Sequence, residues 1–393
     1  MVPRPSTVRD LRPLGLRARN RAYGSLDHRE GPCSRTHTVS SSHEQANAVN
    51  RIVVDLEDLR PIWAMPTWAL DELREALPEG WELQVARSVV DGTGDGASEP
   101  SSKVLSAVAG ARVYIGFGVP AAILEAGEGT LEWVHSGAAG VGSSLHETML
   151  SSSVRFTNSA GVHGPPIAET VVGMLLHFAR GLDFAVTGAR RGEWDDAPFL
   201  AIDTPVRELS SMTVGVLGYG GIGREVARRV VDLGSRTIGL QRSPSHLGTD
   251  PLGVEIVHGE SGLERILAES DALVIAVPET SKTRNLLNSE RIRALRKGAI
   301  LVNVARGSIV DEDALVDALR DGHLRGAGLD VFRSEPLPQD HPLWKLPNVL
   351  ITPHTSAVTS GFWRREMDLI LENLRRFLGG ALLSNEVDRA RGY

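Results

Sequence analysis

Four short segments in the C-terminal half carry residue types that can hold an anion and move a proton. The first is Gly218-Tyr219-Gly220-Gly221-Ile222-Gly223. The second runs from Asn303 through Val304, Ala305 and Arg306 to Gly307. The third runs from Leu329 through Asp330 to Phe332 and on to Glu335-Pro336, and the last is Thr352-Pro353-His354. An arginine stays charged at any working pH and grips a carboxylate through two parallel bonds. A histidine near neutrality gives or takes a proton, as reduction of a carbonyl or oxidation of an alcohol requires. With a glycine-rich phosphate turn ahead of them, these groups suit hydride and proton transfer between a nicotinamide and a carbonyl.

The glycine turn is entered by Val214-Gly215-Val216-Leu217, a strand pattern, and left by a helix-like stretch from Arg224 to Leu233. In such a turn Gly218 permits the tight bend, Gly220 lets backbone approach a pyrophosphate, and Gly223 lets the helix lie close to the strand. The helix N-terminus adds amides and a positive dipole, and Tyr219, Gly221 and Ile222 complete the loop. The next strand ends in Gln241-Arg242-Ser243 with no carboxylate to repel a 2′-phosphate. NADP(H) is therefore favoured over NAD(H), with NAD(H) as the other possibility.

These groups need strands to carry them. Strand patterns recur at Thr213 to Leu217, Arg236 to Leu240, Ala272 to Val277, Ala299 to Val304, Gly328 to Val331 and Val349 to Ile351, mostly separated by helical segments. Continuously apolar strands alternating with helices indicate a doubly wound parallel sheet. Upstream, Ile52-Val53-Val54, Trp81 to Ala86, Val113 to Ile115 and Leu131 to Val134 alternate with helical stretches, including Thr67 to Leu77, and predict a smaller parallel α/β domain. Gly92 to Ser102 reads as a loop. A long apolar helix is expected from Pro165 to Arg190, marking the passage between domains. A last amphipathic helix, Phe362 to Phe377, is expected to return the chain to the first domain and leave a cleft between the two. The expected organisation is a Rossmann-type cofactor domain at 159–357 inserted in a flavodoxin-like substrate domain at 51–158 and 358–393.

With 393 residues the chain is long enough for two buried cores. A net charge of -7, 41% hydrophobic and 23% charged residues are ordinary for a soluble protein. They give no reason to expect a nucleic-acid partner, and no apolar run approaches a membrane span. The single cysteine, Cys33, excludes an internal disulfide and a multi-cysteine metal site. The expectation is a cytoplasmic enzyme without a metal. Residues 1–50 are arginine- and serine-rich with little apolar periodicity, which predicts a disordered extension, read as an extended or misassigned start, and no secretory signal.

In the order and spacing of Asn303 to Asp311, Gly326 to Pro338 and Thr352 to His354, the sequence resembles the D-isomer-specific 2-hydroxyacid dehydrogenases. The likeness extends from Arg51 to Tyr393 and includes Pro278 to Thr283 and Pro342-Leu343-Trp344. It implies that Arg306 holds a 2-oxo acid and polarises its carbonyl, that His354 is the acid/base, and that Glu335 orients the imidazole and stabilises its cation. It also aligns Ala139 and Gly140 with amides that hold the substrate carboxylate. Val277, Pro278, Thr283, Val304, Ala305 and Asp330 align with the cofactor's neighbours. Many relatives have Asp where this chain has Gly142, a change expected to alter loop support only. Trp63, Met65 and Trp363 could line a cleft or fill the core. The implied activity is NADPH-dependent reduction of glyoxylate or hydroxypyruvate by a homodimer. The alternatives are a phosphoglycerate dehydrogenase-like enzyme, although no regulatory domain follows Tyr393, and a dinucleotide-sensing, corepressor-like binding protein.

Overall fold

A computed structural model describes residues 49–86, 99–242, 248–390 and 392, all within one compact unit, Gln45–Tyr393. The expectations for residues 1–48, Cys33, the first part of the Gly92 to Ser102 loop, Ser243 and Tyr393 lie outside the described residues.

Thirteen strands in the described residues form two sheets. The first contains β1 (Val49–Asp55), β2 (Glu82–Val85), β3 (Ala111–Gly116), β4 (Trp133–Ser136) and β5 (Arg155–Asn158), all parallel in the order β2-β1-β3-β4-β5. This is the flavodoxin-like order. Its two faces are both covered, as a parallel sheet requires. Ile52, Val54, Val113, Ile115 and Trp133 pack beneath the Phe362–Leu378 helix through Phe362, Met367 and Ile370. On the opposite face Val53, Tyr114, Val134 and Phe156 meet Val104, Ile123 and Met149.

The second sheet contains β6 (Thr213–Leu217), β7 (Arg236–Leu240), β8 (Gly248–Thr249), β9 (Glu255–Val257), β10 (Ala272–Ile275), β11 (Ala299–Asn303), β12 (Leu324–Leu329) and β13 (Val349–Ile351). The order is β13-β12-β11-β10-β6-β7-β9-β8, parallel throughout except for β8 against β9. The strand order reverses between β6 and β10. In open α/β sheets the crevice beyond the carboxyl ends of strands at such a switch point is where ligands bind.

Four features differ from what the sequence predicts. The helix expected from Pro165 to Arg190 is two, Gly164–Ala179 and Leu182–Arg191, bent by 73°. The break falls at Gly181, whose φ of 67° is left-handed and cannot continue a helix. The β8–β9 hairpin and β5 carry signals too short to stand out in sequence. The end of the Gly92 to Ser102 loop is a helix start, because the Ser101 hydroxyl caps the Ser102–Val108 helix at Val104 N.

After the break, the Leu182–Arg191 helix is fastened to β12 by a buried bidentate pair. Arg325 Nη1 and Nη2 donate to the two Asp183 carboxylate oxygens at 2.8 and 2.7 Å, with the guanidinium 4.4 Å from the Phe184 ring centroid. Separating one partner of such a buried pair costs about 3 kcal/mol or more, so this contact sets the helix direction firmly. The C-terminal segment rejoins the first sheet: Val387 N donates to Phe156 O, and Asn385 Nδ2 donates to Ala160 O at 2.7 Å. Among the described residues no single helix is long and apolar enough to cross a membrane. The bent Gly164–Ala179 and Leu182–Arg191 pair passes by length and composition together, but the first of these helices is buried in the core through Val171, Met174, Leu175 and Phe178.

Candidate active site

All four sequence segments emerge at the carboxyl ends of strands in the second sheet, three of them from the adjacent β11, β12 and β13. The glycine turn follows β6, Arg306 lies three residues beyond β11, Asp330 directly follows β12, and His354 lies three residues beyond β13.

The turn's three outer glycines have three different environments. Gly218 has a φ of 105°, and a Cβ there would stand 2.6 Å from the Ala276 carbonyl carbon at the end of β10. At Gly223 a Cβ would stand 2.1 Å from Gly218 O, so helix and strand touch there. A Cβ on Gly220 would meet nothing within 4 Å. The backbone at Gly220 therefore faces open space, at the N-cap of the Gly221–Asp232 helix. This cradle fits a pyrophosphate. Tyr219 points the other way. It is buried against Gly239, and its hydroxyl donates to Asp250 Oδ2 at 2.6 Å. Burial first, and then Asp250, push its phenol well above the ordinary range. Tyr219 thus ties the turn to the segment before β9 through its side chain. Gln241 is half-buried and Arg242 exposed at the end of β7. Thr283 closes the Pro278 to Thr283 turn: its hydroxyl donates to Pro278 O at 2.7 Å and accepts from Thr280 N. Val304 and Ala305 are buried beside the exit of β11.

Asn303 braces the Arg306 loop, its side chain accepting from Ala305 N and donating to Arg306 O, each at 3.1 Å. Gly307 follows because nothing larger fits: a Cβ there would stand 1.8 Å from the Phe332 carbonyl carbon. The strand exits at 303–307 and 329–333 are therefore pressed together.

The histidine is held from two directions. His354 Nδ1 lies 2.7 Å from Glu335 Oε2, while Glu335 Oε1 accepts from Phe332 N at 2.8 Å. With Nδ1–H given to the carboxylate, Nε2 is the nitrogen left to exchange a proton. The backbone of His354 is left-handed, φ 54°, an unusual state for a non-glycine residue. What over-determines it is Asp330, which is 1% exposed. Oδ1 of that carboxylate accepts from Thr355 N at 2.9 Å, Ser356 N at 3.1 Å and the Thr352 hydroxyl. Its Oδ2 accepts from the Ser356 hydroxyl, and its own carbonyl accepts from His354 N at 2.9 Å. The family resemblance implies a place near the cofactor for Asp330; the structure adds its bracing of the His354 loop. The available signal was Thr352 and Ser356 on either side of His354.

In the first sheet, the loop after β4 carries Ala139 and Gly140. Asn158 Nδ2 donates to Ala139 O at 2.8 Å, and Ala138 N donates to the Ser136 hydroxyl. The amides of Ala139 and Gly140 donate to no protein acceptor among the described residues, which leaves them able to receive an anion. Gly142 faces open space. Trp363 belongs to the core cluster under the last helix and donates through Nε1 to Ile62 O, while Trp63 and Met65 are half-buried and pack against that cluster. His163 escaped the sequence reading. It stacks on Phe362, centroids 5.2 Å apart, and burial lowers its pKa, which keeps it neutral at pH 7. Among the described residues no group of three His, Cys, Asp or Glu is placed to hold a metal ion.

The sequence profile described as "D-isomer specific 2-hydroxyacid dehydrogenase, NAD binding domain" matches residues 172–356. A D-3-phosphoglycerate dehydrogenase of Methanocaldococcus jannaschii is 35% identical over 242 residues, 62% of this chain; the chain spans 44% of that relative's length. The crystal structure of a D-isomer specific 2-hydroxyacid dehydrogenase from Xanthobacter autotrophicus, in complex with NADPH and MES, is 32% identical with a TM-score of 0.69, covering 88% of this chain and 100% of that one. An NADPH-dependent glyoxylate/hydroxypyruvate reductase from Sinorhizobium meliloti, in complex with NADP and sulfate, is 26% identical with a TM-score of 0.67, covering 88% and 100%.

If Asp330 is the brace of the histidine loop, replacing it by Asn should leave several donors competing for one neutral amide oxygen. We expect Asp330→Asn to lose on the order of 2 kcal/mol of unfolding free energy. Turnover should fall more than affinity for the nicotinamide dinucleotide does. A variant with parental kcat and weakened cofactor binding alone would show that the bracing does not matter for the histidine.

Proposed function

We propose, on the premise that this chain belongs to the D-isomer specific 2-hydroxyacid dehydrogenase family, that it is an NADPH-dependent reductase of small 2-oxo acids such as glyoxylate or hydroxypyruvate. The observation that carries this reading is the 2.7 Å His354–Glu335 pair, which joins the segments leaving β13 and β12, with Arg306 leaving the next strand, β11. The family's enzymes are oxidoreductases acting on the CH–OH group of donors.

In this reading residues 159–357 bind the dinucleotide, while 51–158 and 358–393 complete the substrate side. Gly218 to Gly223 hold the pyrophosphate, and Gln241 and Arg242 lie toward the 2′-phosphate end. Val277, Pro278, Thr283, Val304, Ala305 and Asp330 surround the rest of the cofactor. A bound nicotinamide supplies the hydride that adds to C2 of the 2-oxo acid. The Ala139 and Gly140 amides and the Arg306 guanidinium hold the substrate carboxylate, and Arg306 also polarises the C2 carbonyl. His354 Nε2 gives its proton to the carbonyl oxygen as charge develops there, and Glu335 steadies the imidazolium beforehand. Preference for NADPH rests on the absence of a carboxylate after β7, with Arg242 in its place, and on the NADPH and NADP bound by the two structural relatives.

Assembly as a homodimer is part of the proposal. Beyond the Gly181 break, Leu182, Val186, Trp194, Leu200 and Ile202 are all exposed, with Trp194 at 95%, an apolar face that a second copy would cover. A light-scattering mass of one chain at micromolar concentration would contradict it.

Purified protein should oxidise NADPH with glyoxylate, hydroxypyruvate or its 3-phosphate at a higher kcat/KM than NADH. Arg306→Ala should lower kcat/KM on the order of a hundredfold, through loss of a charge-assisted bidentate contact. Tight NADPH binding without turnover of any 2-oxo acid would support the sensor reading and end this one.

A further inference from the structure

A second carboxylate stands behind the His354–Glu335 pair without touching the histidine. The segment joining β12 to β13 leaves its strand past two consecutive amides, each held by a different carboxylate. Phe332 N donates to Glu335 Oε1, and Arg333 N donates to Glu312 Oε1. Glu312 opens the Glu312–Arg320 helix and is only 9% exposed, which is rare for a glutamate without a defined task. Its Oε2 lies 3.6 Å from His341 Nε2. His341 Nδ1 accepts from Leu343 N at 3.3 Å, so the neutral ring carries its proton on Nε2, facing Glu312. Glu312 therefore holds the β12–β13 segment by the Arg333 amide, before Glu335, and its other oxygen faces His341, after it.

The surrounding charges leave that grip undisturbed. Arg333 places its guanidinium 3.8 Å from Asp311 and 3.9 Å from Asp313. Asp311 is engaged as the helix cap, accepting from Ala314 N. The same strip of chain is also pressed against Gly307, one residue past Arg306. The strip has little room to relax.

We infer that Glu312 is a positioning residue for the reaction: by satisfying the Arg333 amide it leaves Glu335 one amide to hold and an oxygen to give His354. This rests on the proposed role of the His354–Glu335 pair. A buried N–H without an acceptor is costly and draws on any acceptor within reach. The Glu335 carboxylate is already bound to the neighbouring amide. Without Glu312, the Arg333 amide competes with His354 for it, and the imidazole loses its orientation and its stabilising charge.

The test compares Glu312→Ala, Glu312→Gln and Glu312→Asp with His354→Asn, all in the full chain, by pH profiles of reductive kcat/KM and by NADPH titration. Glu312→Ala should lower kcat roughly tenfold or more, as small misplacements of reacting groups do, while the NADPH Kd stays within about twofold. The high-pH limb of its profile should move to lower pH. Glu312→Gln keeps an acceptor for the Arg333 amide and should restore most of the rate and the position of the limb. If Glu312→Ala does not fold, Glu312→Asp, one methylene short of the amide, should show the displaced limb instead. A parental pH profile in Glu312→Ala or Glu312→Asp, or a Glu312→Gln as impaired as Glu312→Ala, overturns the inference. His354→Asn separates the two claims. If it turns over like the parent, the reading of the histidine itself is wrong; if it is inactive while Glu312→Ala keeps the parental profile, only the positioning role fails.

Discussion

The buried carboxylate of Asp330 is the contact on which the rest of the site depends. It sits where β12 ends, is almost wholly removed from water, and gathers amides and hydroxyls from Thr352, Thr355 and Ser356 beyond β13. A buried charge is tolerable only when donors surround it, and here the donors all come from the loop that carries His354. The exchange settles two problems together. The carboxylate is solvated by protein, and the loop is held in the left-handed turn that presents the imidazole to Glu335.

That arrangement works because of strand order. β11, β12 and β13 are neighbours in the sheet, so Arg306, Asp330 and His354 leave it side by side although they lie far apart in sequence. β6 and β10 form the switch point, and Gly218 is pressed against the end of β10 there. A glycine-rich cradle and a row of polar side chains at the carboxyl ends of one sheet's strands are brought together by this parallel topology. The close approach at Gly307 then packs two of the strand exits together, which fixes the spacing between the arginine and the carboxylate that faces the histidine.

Much of this was legible in the sequence, and what was not has physical reasons. β6, β7 and β13 fall where apolar runs bounded by turn residues place them, and the last helix follows its amphipathic pattern within a residue. The second sheet was readable as parallel from its continuously apolar strands, apart from the antiparallel β8, and the first from the alternation of strand and helix patterns. The helix break was hidden: Gly181 stands between two helical patterns, and a single glycine is tolerated in many helices. The two-residue strand β8 has no periodicity to read. In the site, residue types announced Arg306, Glu335 and His354, since each needs its own chemistry. The bracing by Asp330 and Glu312 was invisible because a bracing carboxylate looks like any helix-cap or strand-end acid until its donors are seen. The same holds for His163, whose neutral state comes from burial against Phe362 and Trp63, a property of packing and not of spacing.

The central claim is that His354, steadied by the Glu335 carboxylate, passes the proton in carbonyl reduction. It is tested most directly by comparing pH profiles of kcat/KM in both directions for the parent and Glu335→Gln, which keeps size and hydrogen-bonding capacity but removes the charge. Without that charge the imidazolium is less favoured. Reduction should then decline at lower pH than in the parent, while oxidation of the 2-hydroxy acid, which needs neutral His354, should be less impaired near neutrality. Coincident profiles in both directions would contradict the account and leave Glu335 a structural support only.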